Sequence, residues 1–218
     1  MRAPATLSFT GKNLTCTRGD TTVFTDLDFD VDPGEALIVR GVNGSGKSSL
    51  LRMAAGFLAP TEGELRREGD LIAKDPENHF TRLHYLGHLN ALKPAFTVLE
   101  NLEFWRRLFN GSTRSTGIKT DARALDRLGL SAIADMPTHY LSAGQRRRLA
   151  LARLLAVARP LWLLDEPTSS LDDAGSETLV QLISEHLSTG GMVIAAVHGE
   201  LAVPDCKTIV LGSEPPVS

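Results

Sequence analysis

Residues 41–48 read Gly-Val-Asn-Gly-Ser-Gly-Lys-Ser, a complete G-x-x-x-x-G-K-[ST] pattern. Its setting makes it decisive. The apolar run ALIVR precedes it and the helical pattern SSLLRMAAGF follows, which is the strand–loop–helix order the chemistry requires. Gly41, Gly44 and Gly46, with Val42, Asn43 and Ser45 between them, let successive backbone N–H groups converge on phosphate oxygens. The N-terminus of the following helix adds positive potential. Lys47 is placed to reach the β- and γ-phosphates, the Ser48 hydroxyl to ligate Mg²⁺, and Ser49 belongs to the same binding group. The stretch predicts a site for a nucleoside triphosphate with its magnesium ion.

Outward from this loop, four short apolar runs read as buried parallel strands: 36–40, 161–165, 193–197 and 208–211. Helical patterns separate them, which predicts an α/β fold. Residues 7–31 alternate Thr, Val, Phe and Asp around RGDTT and read as an antiparallel hairpin, so a mixed sheet is expected. Thr97 and Glu100 form a capping box, and Val98, Leu102, Trp105 and Phe109 then share one helical face, with Arg106 and Arg107 elsewhere. Residues 111–117 read as a loop, and 121–128 as a second helix stopped by Gly129. One domain is expected over 1–218: a core of about 1–88 and 146–212, a helical lobe of about 89–145, and a tail at 213–218.

The strand Leu161-Trp162-Leu163-Leu164-Asp165-Glu166 ends in two adjacent carboxylates. Side chains alternate along a strand, so the two face different ways. Asp165 suits the metal shell and Glu166 the role of general base. At Leu141-Ser142-Ala143-Gly144-Gln145, Ser142 and Gln145 form another capping box, which opens a helix whose first amides can hold an anion. Two phosphate-binding helix ends this far apart suggest a nucleotide shared between two copies. Part of the following run Arg146–Arg148 reads as the solvated face of that helix, and no chemistry is assigned to it.

These motifs, in this order, resemble the ATP-binding cassette (ABC) ATPases, the nucleotide-binding subunits of transporters. LSAGQ resembles the family signature with Ala143 in place of a glycine, SSLD (169–172) resembles the loop across the dimer interface, and His198 resembles the γ-phosphate switch histidine. The resemblance implies ATP and Mg²⁺ as ligands, and a head-to-tail dimer in which Ser142, Gly144 and Gln145 serve the other copy's ATP. Where the family stacks an aromatic on adenine, this chain has LTCTRGD, and the guanidinium of Arg18 is the nearest planar group.

His88 marks a second departure, for it stands in YLGH where the family has a glutamine that touches metal and water. An imidazole can donate or accept a hydrogen bond there, but it also titrates. The stretch HYLGHLNALKPAFTVLENLEFW, with Lys93 and the alanine of LSAGQ, is similar to one branch of the family. That branch is the ATP-binding subunits of the bacterial cytochrome c maturation haem exporter. The branch implies integral membrane subunits as partners and a place on the cytoplasmic face of the inner membrane. Another small-substrate exporter ATPase, or a non-transport ABC ATPase, stays open as an alternative.

Composition narrows the choice. A net charge of −3 argues against nucleic acid as a partner. The run LALARLLAVARPLWLLDE is interrupted by Arg153, Arg159 and Pro160, and no apolar stretch reaches the roughly 20 residues of a membrane span. Any membrane role is therefore expected to come through a partner. Cys16 and Cys206 have no metal-type spacing and are expected as free thiols.

Overall fold

In the computed structural model, which describes residues 8–110 and 114–212, the strands sort by how they bury their faces. The elements run β1 (Phe9–Arg18), β2 (Thr21–Val31), β3 (Ala36–Gly41), α1 (Lys47–Ala54), β4 (Glu62–Arg67), β5 (Asp70–Leu71), α2 (Pro76–Thr81), β6 (Leu83–Leu86) and α3 (Val98–Asn110). Then follow α4 (Arg114–Arg127), α5 (Ala143–Ala156), β7 (Leu161–Asp165), α6 (Asp173–Ser188), β8 (Met192–Ala196) and β9 (Lys207–Leu211). Every residue of β7 and β8 is buried, as expected of strands covered on both faces. β2 buries only Phe29 and Val31.

The mixed sheet expected from the sequence divides into two separate sheets. One is antiparallel, in the order β2-β1-β4-β5, and the other is wholly parallel, in the order β6-β7-β8-β3-β9. The continuously apolar strands β7, β8 and β3 collect in the middle of the parallel sheet. By contrast β9, expected as a buried strand, is a half-exposed edge strand with only Leu211 buried, because one of its sides has no neighbouring strand. The parallel sheet separates two apolar cores. Ile38, Trp162, Leu164 and Ala195 point into the core shared with the helical lobe, α5 and α6. Leu37, Val39, Leu161, Leu163 and Ile194 point into the core shared with α1 and the antiparallel sheet. At about 1.5–3 kcal/mol for each fully buried large side chain, this double cover is the main force fixing the sheet.

Because all five strands run the same way, their C-terminal ends lie along one edge. The phosphate loop after β3, Asp165 and Glu166 at the end of β7, His88 after β6 and His198 after β8 are thereby delivered to the same edge. Ligands of open parallel sheets bind at such an edge.

The lobe has the two expected caps. Thr97 Oγ1 accepts from Glu100 N at 3.1 Å, and Glu100 Oε2 accepts from Thr97 N at 2.8 Å. Gly129, at φ 66°, ends α4 with Leu130 N donating to Leu125 O at 2.8 Å. Two expectations need correction. Helix α4 begins at Arg114, so the expected loop at 111–117 is helical from residue 114 onward, and its first three residues lie outside the described residues. The expected tail at 213–218 lies outside them as well. Arg106 is also buried, at 3% exposure, because it donates through Nε to Asp121 Oδ2 at 2.9 Å. A long charged side chain enters a core when a partner waits there. Cys16 and Cys206 are free, as expected.

Candidate functional site

The phosphate loop is built around two constraints. Gly46 sits at φ 100°, which a residue with a Cβ rarely adopts, and a Cβ there would lie 2.5 Å from Val23 Cγ1 and 2.9 Å from the Phe24 ring. The β1–β2 hairpin therefore roofs the loop, and only glycine fits between them. Gly46 offers no side-chain cap to α1, so the first amides of that helix stay available to an anion. Lys47 is 6% exposed and donates to Gly41 O at 2.7 Å and Val42 O at 3.0 Å, holding the loop open across its own turn. Ser45 Oγ is buried with no hydrogen-bond partner among the described residues. A buried orphan hydroxyl beside a narrow cradle and a loop-bound ammonium suits a phosphate, which supplies the missing acceptor.

The metal-type residues come together from distant parts of the chain. Ser48 Oγ donates to Asp165 Oδ1 at 3.1 Å, although 117 positions separate them. This hydroxyl–carboxylate set is an all-oxygen pair of the kind a magnesium ion takes. Burial raises the pKa of Asp165 above the usual carboxylate range, and the neighbouring Glu166 charge adds to this. The bond from Ser48 and the nearby His88 pull it back. His88 is exposed and lines the same groove as Ser48 and Asp165.

The sign of the Asp165 shift gives a test. A carboxyl group harder to ionise in the fold than in the unfolded chain stabilises the protein most below its unfolded pKa. That contribution is lost as pH rises through the folded value. Asp165→Asn is therefore expected to raise the melting temperature of the nucleotide-free protein at neutral pH. The rise should be about 2–4 °C for each kcal/mol of relieved desolvation, and it should shrink as pH falls toward the carboxylate range. Melting curves at several pH values check this; a lower melting temperature at neutral pH would contradict it.

Glu166 has an unusual backbone. Its φ of 48° lies in the left-handed region, its N–H donates to Ala196 O at 2.9 Å, and its Oε1 lies 3.2 Å from His198 Nε2. The carboxylate and the imidazole are thus paired at the surface end of the site, 32% and 41% exposed.

The signature opens α5 as expected. Gln145 N donates to Ser142 Oγ at 3.1 Å, and Ser142 N donates to Gln145 Oε1 at 2.8 Å. Ser142 and Ala143 face solvent, and a Cβ on Gly144 would meet Ser170 O of the SSLD loop at 2.9 Å. Arg18 is exposed at the end of β1, in the hairpin whose Val23 and Phe24 cover Gly46.

Sequence reasoning missed a set of buried arginines. Arg147 is 2% exposed and not part of a solvated face. Arg153 and Arg159, expected only as interruptions of an apolar run, are 6% and 9% exposed. Arg153 donates to Asn90 O and lies over Trp105, 4.5 Å from the ring centroid. Arg159 donates to Phe80 O and Leu83 O and lies over Phe109 at 4.2 Å. A second missed residue is Asn101, fully buried, which accepts from Lys93 N at 2.7 Å and returns a bond to Lys93 O at 3.0 Å. It pins the segment after His88 to the lobe.

The family model for ABC transporters matches residues 24–169, from the hairpin to the loop after β7. This chain belongs to the ABC transporter ATP-binding family. Within that family it falls with the CcmA proteins. It is 48% identical over 204 residues to the cytochrome c biogenesis ATP-binding export protein CcmA of Paramagnetospirillum magneticum, covering 94% of each chain. A protein of the same name from Rhodopseudomonas palustris (strain HaA2) is 47% identical, over 90% of this chain and 94% of that one. Among solved structures, the dimeric post-hydrolysis state of the ATP-binding cassette MJ0796 bound to ADP and Pi is 26% identical with a TM-score of 0.80. It covers 93% of this chain and 94% of its own. An ATP-binding subunit of an ABC transporter has a TM-score of 0.83 at 21% identity, over 93% of this chain and 85% of that one, a likeness of fold. This ABC protein is an ATP-hydrolysing transporter subunit, and no helix among its described residues is long and apolar enough to cross a membrane.

Proposed function

We propose that this ATPase powers haem handling in bacterial cytochrome c maturation, working as a pair of copies beneath integral membrane subunits on the cytoplasmic face of the inner membrane. By this reading its work releases a haem-loaded chaperone on the far side. The observation that carries the proposal is the likeness to cytochrome c biogenesis export proteins over nearly the whole chain. The juxtaposition of His88 with Ser48 and Asp165 supports it, because that histidine belongs to the YLGH stretch typical of the branch.

In this reading one domain spans 1–218, with its core at about 1–88 and 146–212 and its lobe at about 89–145. The loop 41–48 and Ser49 hold the triphosphate, Arg18 lies against the base, and Ser48, Asp165 and His88 hold Mg²⁺. When bound, the ion neutralises charge on the phosphates. Glu166 accepts a proton from the attacking water, and His198, already beside it, faces the γ-phosphate. Ser142, Gly144 and Gln145 serve the nucleotide of the second copy.

In this reading the membrane subunits dock on an apolar surface. A groove of about 690 Å³ leads away from Ser48 and Asp165 along Phe57, Phe80, Leu89 and Trp105. Phe57 is 51% exposed and Leu89 82%, so the groove presents apolar area that a transporter ATPase can use for docking.

Deleting the gene is expected to abolish covalent haem attachment to c-type cytochromes, read by haem staining of membrane proteins. A Glu166→Gln copy should fail to restore it. Normal cytochrome c levels in the deletion strain would discard the haem assignment and leave the ATPase intact.

A further inference from the structure

Arg147 occupies a junction where three functional segments meet. A guanidinium has five N–H donors, and each of these has its own acceptor. Nε donates to Pro167 O at 3.1 Å; Nη1 donates to Gly87 O at 3.0 Å and to Asn90 Oδ1 at 3.1 Å. Nη2 donates to Asp165 O at 2.8 Å and to Glu166 O at 2.6 Å. Burial lowers the pKa of Arg147, and the nearby charges of Asp165 and Glu166 oppose that. One side chain of α5 thus holds three consecutive carbonyls at the end of β7 and both sides of the His88 turn.

We propose that Arg147 is a positioning residue for ATP hydrolysis, locking Glu166 and the His88 turn to the helix that carries Ser142. Three observations carry this. Four of the five acceptors are backbone carbonyls of the candidate site and the fifth is the Asn90 side-chain oxygen, and together they lie on each side of Glu166 and of His88. Glu166 holds a left-handed φ of 48°, a conformation that persists in a non-glycine residue only when its surroundings over-determine it. Its surroundings are Ala196 O on its N–H, and both Arg147 and the Ser169 N–H on its carbonyl. Finally, Ser142 caps the start of α5, so a displacement of that helix start reaches Glu166 through Arg147 within two helical turns. Lysine cannot replace it, since an ammonium offers three donors from one point.

The inference rests on the role proposed above for Glu166, and the experiment separates the two. Arg147→Ala is expected to lower kcat about 100-fold, the size of loss that follows a misplacement of about 1 Å. KM for ATP should stay within about threefold, because Arg147 does not touch the phosphate loop. Ethylguanidinium, which has the atoms that alanine lacks, is expected to recover at least about tenfold of the lost kcat. Arg147→Lys should recover only part of it. An unchanged kcat, a raised KM with kcat intact, or a loss that ethylguanidinium does not restore in folded protein would overturn the proposal. If Arg147→Ala does not fold, Arg147→Lys decides: a lowered kcat at constant KM supports the role, and full activity overturns it. Glu166→Gln is assayed alongside. Turnover retained there sinks the site reading itself, whereas turnover lost there but kept in Arg147→Ala sinks only this inference.

Discussion

Glu166→Gln is expected to lower steady-state ATP turnover by about 10³-fold while leaving ATP bound, with the ATP-loaded protein accumulating as a dimer. A positioned general base contributes roughly 10²–10⁴ in rate, and the amide removes that function with little change of shape. The geometry makes the substitution a clean one. The Glu166 side chain is 32% exposed, so no buried charge is created or lost. Glutamine keeps an oxygen that can accept from His198 Nε2, now 3.2 Å away. Its backbone, held by Ala196 O and Arg147, is untouched. Turnover should therefore fall without a comparable fall in melting temperature or nucleotide affinity. Size-exclusion chromatography with and without ATP reads the dimer, and phosphate release reads the turnover. Wild-type turnover in the variant would remove Glu166 as the base and point to a neighbouring group.

The loop at 41–48, the buried strands β3, β7 and β8 and both capping boxes were legible because each is a local pattern with a local physical cause. Glycines at fixed positions, a continuous apolar run or a Ser three residues before a Gln describe the same backbone wherever they occur. The arginines were not legible for the opposite reason. A charged side chain reads as solvated unless a partner is in view, and the partners of Arg147 are carbonyls at 87 and 165–167. A carbonyl has no residue type, so no composition or spacing announces it. The one signal was positional. Arg147 shares a helical stripe with Ala150, Leu151 and Leu154, all buried, whereas a solvated arginine is not expected on such a stripe. Arg106 was hidden in a different way, since its partner Asp121 lies on the neighbouring helix. The division into two sheets also lay beyond local patterning. Alternation predicts which faces are wet, but which strands share a sheet depends on how the chain packs.

Ser142→Asp tests whether the nucleotide is shared between copies. Aspartate is about as good an N-cap as serine, and a carboxylate at a helix N-terminus interacts favourably with the helix dipole, so α5 should keep its start. Ser142 is exposed, and the change introduces no buried charge. If the γ-phosphate of a second copy comes to this helix end, however, the new carboxylate meets a like charge there. At about 4 Å and an effective dielectric constant of about 20, that repulsion is about 4 kcal/mol. ATP-driven dimerisation and turnover are then expected to fall by about 10³-fold. Binding of ATP to the isolated chain depends on the loop around Lys47 and should change by no more than about twofold. The two readouts separate the alternatives sharply. A large loss of ATP affinity in the monomer would mean that Ser142 serves the nucleotide of its own chain, and unchanged dimerisation would mean that it serves none. Only the combination of intact monomer binding with lost dimerisation places the phosphate of one copy against the signature helix of the other, and that combination is what the solvent-facing start of α5 leads us to expect.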